Sequence, residues 1–297
     1  PQARVAAAVS ELWEATPPDL VVVATPNSSH VAIATDALGR GTPVVVDKPL
    51  ASTAAEAEAL VEQAERAGVL LTVFQNRRWD TDQLTLRRLI EEDALGEIVR
   101  FESRFERWRP EADLSKWREH EPPDQGGGLL LDLGSHLVDQ ALQLFGAVEH
   151  VYAEVAARRG GPADDDVFIA LRHASGTISH LHASAVTPSV GPRLRVQGTT
   201  AGFLATSIDP QEAALREGSR PDTVPDWGKP PAWEQPRLVA GDQSVPIPAQ
   251  PGDWPRFYAL LADALLQGGP PPVNPRDAVA ALRVLDAARS YADSTPG

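Results

Sequence analysis

In the stretch Gly126-Gly127-Gly128-Leu-Leu-Leu-Asp132-Leu-Gly134-Ser-His136-Leu-Val-Asp139-Gln140, a carboxylate and an imidazole stand four residues apart behind three glycines. Leu133, Leu137, Ala141 and Leu144 recur at helical spacing and Gly146 sits where a helix would stop, so the stretch reads as one buried helix. Helical spacing puts Asp132 and His136 on one face, beside glycines that let a ligand or another backbone come close. That pairing suits general acid/base work. It suits equally a core histidine tied to its neighbouring aspartate, and from this stretch alone the two readings stand level. Lys48 shifts the balance. It follows the apolar run Pro43-Val-Val-Val46, a strand buried on both faces, and Pro49 pins the backbone after it. A lysine there is costly unless it pairs with Asp47 or a helix end, or has work to do. Beside Asp132 and His136 its ammonium would bind a hydroxyl and favour the developing alkoxide while the imidazole takes or gives the proton. The three together suit interconversion of a hydroxyl and a carbonyl.

The elements that must position them follow from the pattern. Leu20 to Thr25, Pro43 to Val46 and Val69 to Phe74 read as short buried strands, separated by helices from about Ser28 to Gly39 and from Thr53, a capping-box start, to Gly68. Such alternation predicts a parallel sheet with helices on both faces, and ligands bind beyond the carboxyl ends of its strands. Thr25-Pro26-Asn27, Asp47-Lys48-Pro49 and Gln75-Asn76-Arg77 stand at those ends. A helix from Asp80 to about Glu92, an alternating strand from Glu97 to Phe105 and an irregular loop from Glu106 to Gln125, carrying Trp108, Trp117 and Arg118, lead into the Asp132/His136 helix. Val148 to Ala157, Val167 to His173, Thr177 to Val186 and Leu194 to Ala205 then read as mostly antiparallel strands. Ser207 to Gly252 reads as an irregular excursion. Helices from Trp254 to Gln267 and from Pro275, capped by Asn274, close the chain. The expected fold is α/β plus α+β: a Rossmann-type parallel sheet in residues 1–78, then an α+β domain with a large open-faced antiparallel sheet in residues 79–297.

Composition narrows the partners. Over 297 residues the chain is 42% hydrophobic and 23% charged with a net charge of −14, which disfavours nucleic acid as a partner, and no apolar run is long enough to span a membrane. The lack of cysteine excludes disulfides, thiolate catalysis and cysteine-bound zinc, and fits a cytoplasmic protein. The chain opens on Pro1 and has no methionine, and no targeting pattern lies between Pro1 and Ala15. His180 and His182 face one way on a strand without an evident third metal ligand, and Asp164-Asp165-Asp166 reads as a solvated turn. No metal site is expected. No Gly-x-Gly-x-x-Gly turn follows a strand, so a first strand-helix-strand unit is expected to precede Pro1.

Ala24-Thr-Pro-Asn27-Ser-Ser-His30, Gly41-Thr-Pro-Val-Val-Val-Asp47-Lys48-Pro49-Leu50-Ala51, Trp117-Arg118 and Gly126-Gly-Gly-xxx-Asp132-Leu-Gly-Ser-His136-xx-Asp139 together resemble the glucose-fructose oxidoreductase/inositol dehydrogenase family (Gfo/Idh/MocA). Gln75-Asn-Arg-Arg-Trp79-Asp, Gly191-Pro-Arg-Leu-Arg-Val-Gln-Gly198 and Ile208-Asp-Pro-Gln-Glu212 resemble its branch with NADP-dependent scyllo-inositol dehydrogenases. The resemblance implies a dehydrogenase using NADP or NAD, the former favoured by the branch, on a cyclic polyol or sugar. It implies that Lys48 touches nicotinamide and substrate, that Asp132 binds substrate and that His136 is the catalytic acid/base. Thr25, Pro26, Asn27, His30, Asp47, Pro49, Gln75, Asn76, Arg77, Trp117 and Arg118 would line the cofactor, and Arg77, Trp79 and Trp108 the substrate. Asp47 stands where the family has glutamate, one methylene longer. Homodimers or homotetramers are implied too. A non-catalytic dinucleotide- and sugar-binding regulator and an aldose or anhydro-sugar reductase remain alternatives on the same scaffold.

Overall fold

The computed structural model describes residues 3, 5–14 and 17–294; Pro1, Ala15 and Gly297, which bound stretches discussed above, lie outside them. The chain starts with strand β1 (Val21–Val23), helix α1 (His30–Gly39), β2 (Val44–Asp47), α2 (Ala54–Ala67) and β3 (Leu71–Phe74). The strands pair in parallel in the order β1-β2-β3, Val21 beside Val44 and Val44 beside Leu71. Short valine-rich strands joined by helices leave no room for antiparallel return. At α2 the capping box forms: Thr53 accepts from Glu56 N, and Glu56 accepts from Thr53 N at 3.1 Å. Gly68 ends the helix in the left-handed conformation, φ 63°. β1 departs from the expectation of burial on both faces. Val21 and Val23 are buried, but Val22 is 59% exposed, as befits the edge strand of this sheet.

Helix α3 (Thr81–Glu91) leads to β4 (Ile98–Glu106), the one-turn α4 (Trp117–His120), then α5 (Leu129–Asp132) and α6 (Gly134–Phe145). Strands β5 (Val148–Ala156), β6 (Asp166–His173), β7 (Ile178–Ser184), β8 (Leu194–Gly198) and β9 (Gly202–Ala205) follow. The expected strand from Leu194 to Ala205 is thus a hairpin turning at Thr199-Thr200. The supposed excursion is also partly regular. It contains α7 (Gln211–Arg216) and the pair β10 (Arg237–Ala240) and β11 (Gln243–Pro246). These complete an eight-stranded sheet in the order β11-β10-β9-β8-β4-β7-β6-β5, antiparallel except where β4 runs parallel to β7. Short polar strands carry little apolar period, so their pairing is set by the β9 edge they extend.

Helix α8 (Pro255–Gln267) and the 20-residue α9 (Pro275–Ser294) finish the fold. Asn274 caps α9 as its sequence predicts, its Oδ1 accepting from Arg276 N at 3.0 Å. α9 touches α2, α6, β3 and β5, so one helix packs against both sheets, and a single apolar core runs from Val44 and Leu71 to Ile169 and Leu285. Among the described residues no helix is long and apolar enough to cross a membrane.

Candidate active site

The parallel order of β1, β2 and β3 brings their carboxyl ends to one edge. There Lys48 Nζ lies 2.6 Å from Asp132 Oδ1 and 2.6 Å from the Asp132 carbonyl oxygen. The second bond has a local cause. The helix expected to run through Asp132 and His136 is interrupted at Leu133, where φ is −102°. His136 N therefore bonds to Leu133 O at 3.1 Å rather than to Asp132 O, and the freed carbonyl accepts the lysine. Asp132 and His136 straddle the joint between α5 and α6 instead of sharing one continuous helix face.

His136 is buried, and its Nδ1 sits 3.1 Å from Gln75 Oε1. An amide oxygen only accepts, so Nδ1 carries the proton and Nε2 is left with a lone pair. Burial first, then the charges of Lys48, Arg77 and Arg193, hold the imidazole well below its usual value of 6.5. It is neutral at physiological pH and able to accept a proton. For Asp132 burial pulls upward but is outweighed by the charge and hydrogen bond of Lys48, then by Arg118 and Arg107, so the carboxyl lies below 3.8. Arg118 Nε stands 3.4 Å from Asp132 Oδ1, its guanidinium stacked 4.4 Å over Trp117.

The glycine stretch seats these groups by close approach. A Cβ on Gly127 would lie 1.9 Å from the Glu121 carbonyl oxygen. Gly128 has φ +92°, and a Cβ there would lie 2.2 Å from Asp164 Oδ2. Asp164 reaches in because its Oδ1 accepts from Leu130 N at 2.7 Å, starting α5. This corrects the solvated-turn reading of Asp164-Asp165-Asp166. Asp164 and Asp165 are 5% and 2% exposed, and Asp165 accepts from Arg158 N and from Arg159 N and Nε. An acidic run cannot reveal from sequence that backbone amides will meet it.

Other expected site residues fall into two groups. Around the three strand ends, Asn27 Nδ2 donates to Gly126 O at 2.8 Å, and His30 is held between Pro49 O and Thr25 O at 2.8 and 2.9 Å. Pro26 leads the short turn Asn27–Ser29, Asp47 Oδ1 accepts from Lys48 N, and Asn76 opens the turn Asn76–Trp79. Arg77, Trp79 and Trp108 have partners of their own, though the charge of Arg77 still bears on His136. Arg77 donates to Asp80 and Glu212 at 3.2 and 2.9 Å and lies 4.7 Å over Phe105. Trp79 packs edge-on against Phe257 at 6.0 Å, and Trp108, 56% exposed, bridges to Val186. On β7 His180 meets Arg100 at 3.1 Å and His182 packs on Phe168; among the described residues no group of three His, Asp or Glu is placed to hold a metal.

Comparison with known proteins decides the family. The profile of the oxidoreductase family's NAD-binding Rossmann fold matches residues 1–75, and that of the GFO/IDH/MocA C-terminal domain matches residues 83–204. The chain belongs to the Gfo/Idh/MocA oxidoreductase family. It is 34% identical to scyllo-inositol 2-dehydrogenase (NADP(+)) IolW of Bacillus subtilis over 97% of this chain and 80% of that protein. It is 30% identical to D-apiose dehydrogenase of Paraburkholderia graminis over 91% of this chain and 69% of that one. The solved structure of yvaA from Bacillus subtilis superposes with a TM-score of 0.90 at 32% identity, covering 98% of this chain and 84% of the other. An oxidoreductase from Bacillus cereus follows at 0.85 and 26%, covering 98% and 82%.

The family implies a nicotinamide dinucleotide, and the strand-end edge fits one. Thr25, Asn27, Asp47 and Lys48 gather where a parallel sheet receives such a ligand, and the part-exposed amide of Asn76 has no hydrogen-bond partner among the described residues. Were one bound there, Thr25, Asn27, Asp47, Asn76 and the Trp117-Arg118 pair would be the residues to hold it.

Proposed function

We propose that this oxidoreductase interconverts a hydroxyl and a carbonyl on a cyclic polyol or sugar, with residues 1–78 serving the dinucleotide and residues 79–297 the substrate. What carries the reading is His136: a buried imidazole whose Nδ1 is held by Gln75 and which burial first, then the charges of Lys48, Arg77 and Arg193, keep neutral beside the Lys48–Asp132 pair. In the oxidative direction Nε2 takes the hydroxyl proton, and Lys48 binds the same oxygen and favours the alkoxide. Asp132 keeps the ammonium in place with two acceptors and orients a second hydroxyl. A bound nicotinamide would supply the hydride acceptor. The imidazolium formed beside Lys48, Arg77 and Arg193 is disfavoured, so His136 returns its proton readily, as turnover requires.

The names of the relatives support a polyol or sugar: an inositol and an apiose dehydrogenase, and a levoglucosan dehydrogenase of Pseudarthrobacter phenanthrenivorans, 29% identical over 56% of this chain. The first of these uses NADP, which favours NADP over NAD here. The open face of the eight-stranded sheet suits a homodimer or homotetramer.

The test is steady-state turnover of inositols, aldoses and anhydro-sugars with each dinucleotide. His136→Ala and Lys48→Ala should each lower kcat by about 100- to 10,000-fold with the fold retained by circular dichroism. Rates within a few-fold of the parent in either variant would overturn the assignment.

A further inference from the structure

Arg107 is a cation of the cleft whose side chain has no hydrogen bond and no ion pair among the described residues. At the end of β4 the last bond of the parallel ladder to β7 is Arg107 N donating to Ser184 O at 2.9 Å; an isolated antiparallel bridge, Trp108 to Val186, follows it. Extended backbone alternates its side chains, so Arg107 follows Phe105 on the face that meets His136, the Phe105 and His136 rings being 6.4 Å apart. The guanidinium is half-buried and lies within electrostatic reach of Asp132 and Glu212. Both carboxylates are already taken. Lys48 and Arg118 share Asp132, and Arg77 and Arg216 hold Glu212.

Charge completes the case. Lys48, Arg107 and Arg118 meet at Asp132, and with Glu212 held by Arg77 and Arg216 and Arg109 also near Arg107, positive charge is in local surplus in a chain whose net charge is −14. A neutral polyol would satisfy hydrogen bonds there but leave the surplus. A half-desolvated guanidinium without an anion is a cost to the free protein that a carboxylate or phosphate removes, with two parallel charge-assisted bonds. We propose that Arg107 selects an acidic substrate: a sugar or polyol bearing a carboxylate or phosphate, whose anionic oxygens it binds while His136 and Lys48 meet the reacting hydroxyl. This rests on the site reading given above and narrows its substrate class.

The experiment measures binding and turnover separately. With NADPH or NADP saturating, D-glucose, D-glucuronate and D-glucose 6-phosphate are titrated by tryptophan fluorescence, in the parent and in Arg107→Ala and Arg107→Lys. One or both acids should bind at least about tenfold more tightly than glucose, the stronger showing which anion the cleft takes. Arg107→Ala should bring the ratio to about one, Arg107→Lys should keep part of it, and added salt should weaken the acid alone. Equal affinities in the parent, or a ratio unmoved by Arg107→Ala, overturn the proposal. So does a loss of NADPH affinity in Arg107→Ala with sugar selectivity intact, which would assign the arginine to the dinucleotide. Turnover of neutral sugars without acid preference would leave the dehydrogenase reading standing and sink only this one. Charge-selective binding without turnover of any sugar would do the reverse.

Discussion

Phe105 stands between two charged clusters that use the same kinds of side chain to opposite ends. Its ring faces His136 and, beyond it, the Lys48–Asp132 pair; against it also lie Arg193 at 4.0 Å and Arg77 at 4.7 Å, which serve an interior group of aspartates. The interior group is buried and largely paired. Asp80 accepts from Trp254 Nε1 and Arg77, Asp209 from Thr81 N and Gln211, and Arg193 bonds Ser103 and Gln140 while its Nε lies 3.3 Å from Asp82. Arg77 Nε, Asp82 Oδ2 and Arg193 Nε are buried there without a hydrogen bond, held by charge alone. The outer group is open to the cleft: among the described residues His136 Nε2 and the Arg107 guanidinium have no hydrogen bond. Their carboxyl groups shift in opposite directions. Burial, with Asp82 and Asp209 adding to it against Arg77, holds Asp80 well above 3.8, whereas Lys48 overcomes burial to hold Asp132 below it. Shared residue types therefore do not define a reactive site, and unmet buried atoms alone do not either; groups left open at the strand-end edge do.

The comparison can be broken most strongly from inside. Arg193→Ala strands Asp82 and leaves Ser103 and Gln140 without their partner, and should cost about 3–5 kcal/mol in chemical denaturation. A loss under about 1 kcal/mol would mean that the Arg193 bonds do not hold the interior group together. Next in size is a pH effect. Burial above all pushes Asp209 up from 3.8 to about 6, against the hydrogen bonds of Thr81 and Gln211. The folded protein then holds that proton more tightly than the unfolded chain. The stability it contributes is whole below 3.8 and is lost as pH rises through about 6. Asp209→Asn should flatten denaturation midpoints across that window, removing a change of roughly 3 kcal/mol. Asp132 runs the other way, its contribution present above 3.8 and lost as pH falls through its lowered value. An unchanged pH slope in Asp209→Asn would remove the contrast. The smallest effect belongs to the outer group: Gln75→Ala leaves the buried Nδ1–H of His136 without its acceptor, and kcat should fall about tenfold while stability falls by about 1–2 kcal/mol.

Much of this was legible in the sequence where the signal was local. The capping box at Thr53, the Asn274 cap and the polar strand ends around Lys48 need only neighbouring residues to be read, and the family motifs carry the order of the two sheets. What escaped depends on partners distant in the chain. The break at Leu133 is tied to Lys48, 84 residues away, which takes the carbonyl it frees. Buried Asp164 is a start signal for α5 only once residue 130 is beside it, and β10 and β11 are strands because β9 offers an edge. Arg107 fell inside the stretch read as an irregular loop, and that its side chain goes without a hydrogen bond among the described residues is a property of the whole cleft.

Helix α9 carries a mechanical consequence. About 30 Å long for its 20 residues, it lies against α2 and β3 of the small sheet and β5 of the large one. Asp286 on it accepts from Ala54 N at 2.9 Å, and Arg276 and Arg283 clamp Glu58 and Glu65 of α2. A strut bolted to both halves resists bending between them. The segment from Arg107 to Gln125 lies outside this strut: Arg118, stacked on Trp117, reaches Asp132, and Arg159 pins the segment through Arg109 O, Glu111 O and Glu119. The two halves thus share one brace, and the cover over the reacting groups hangs on a single arginine.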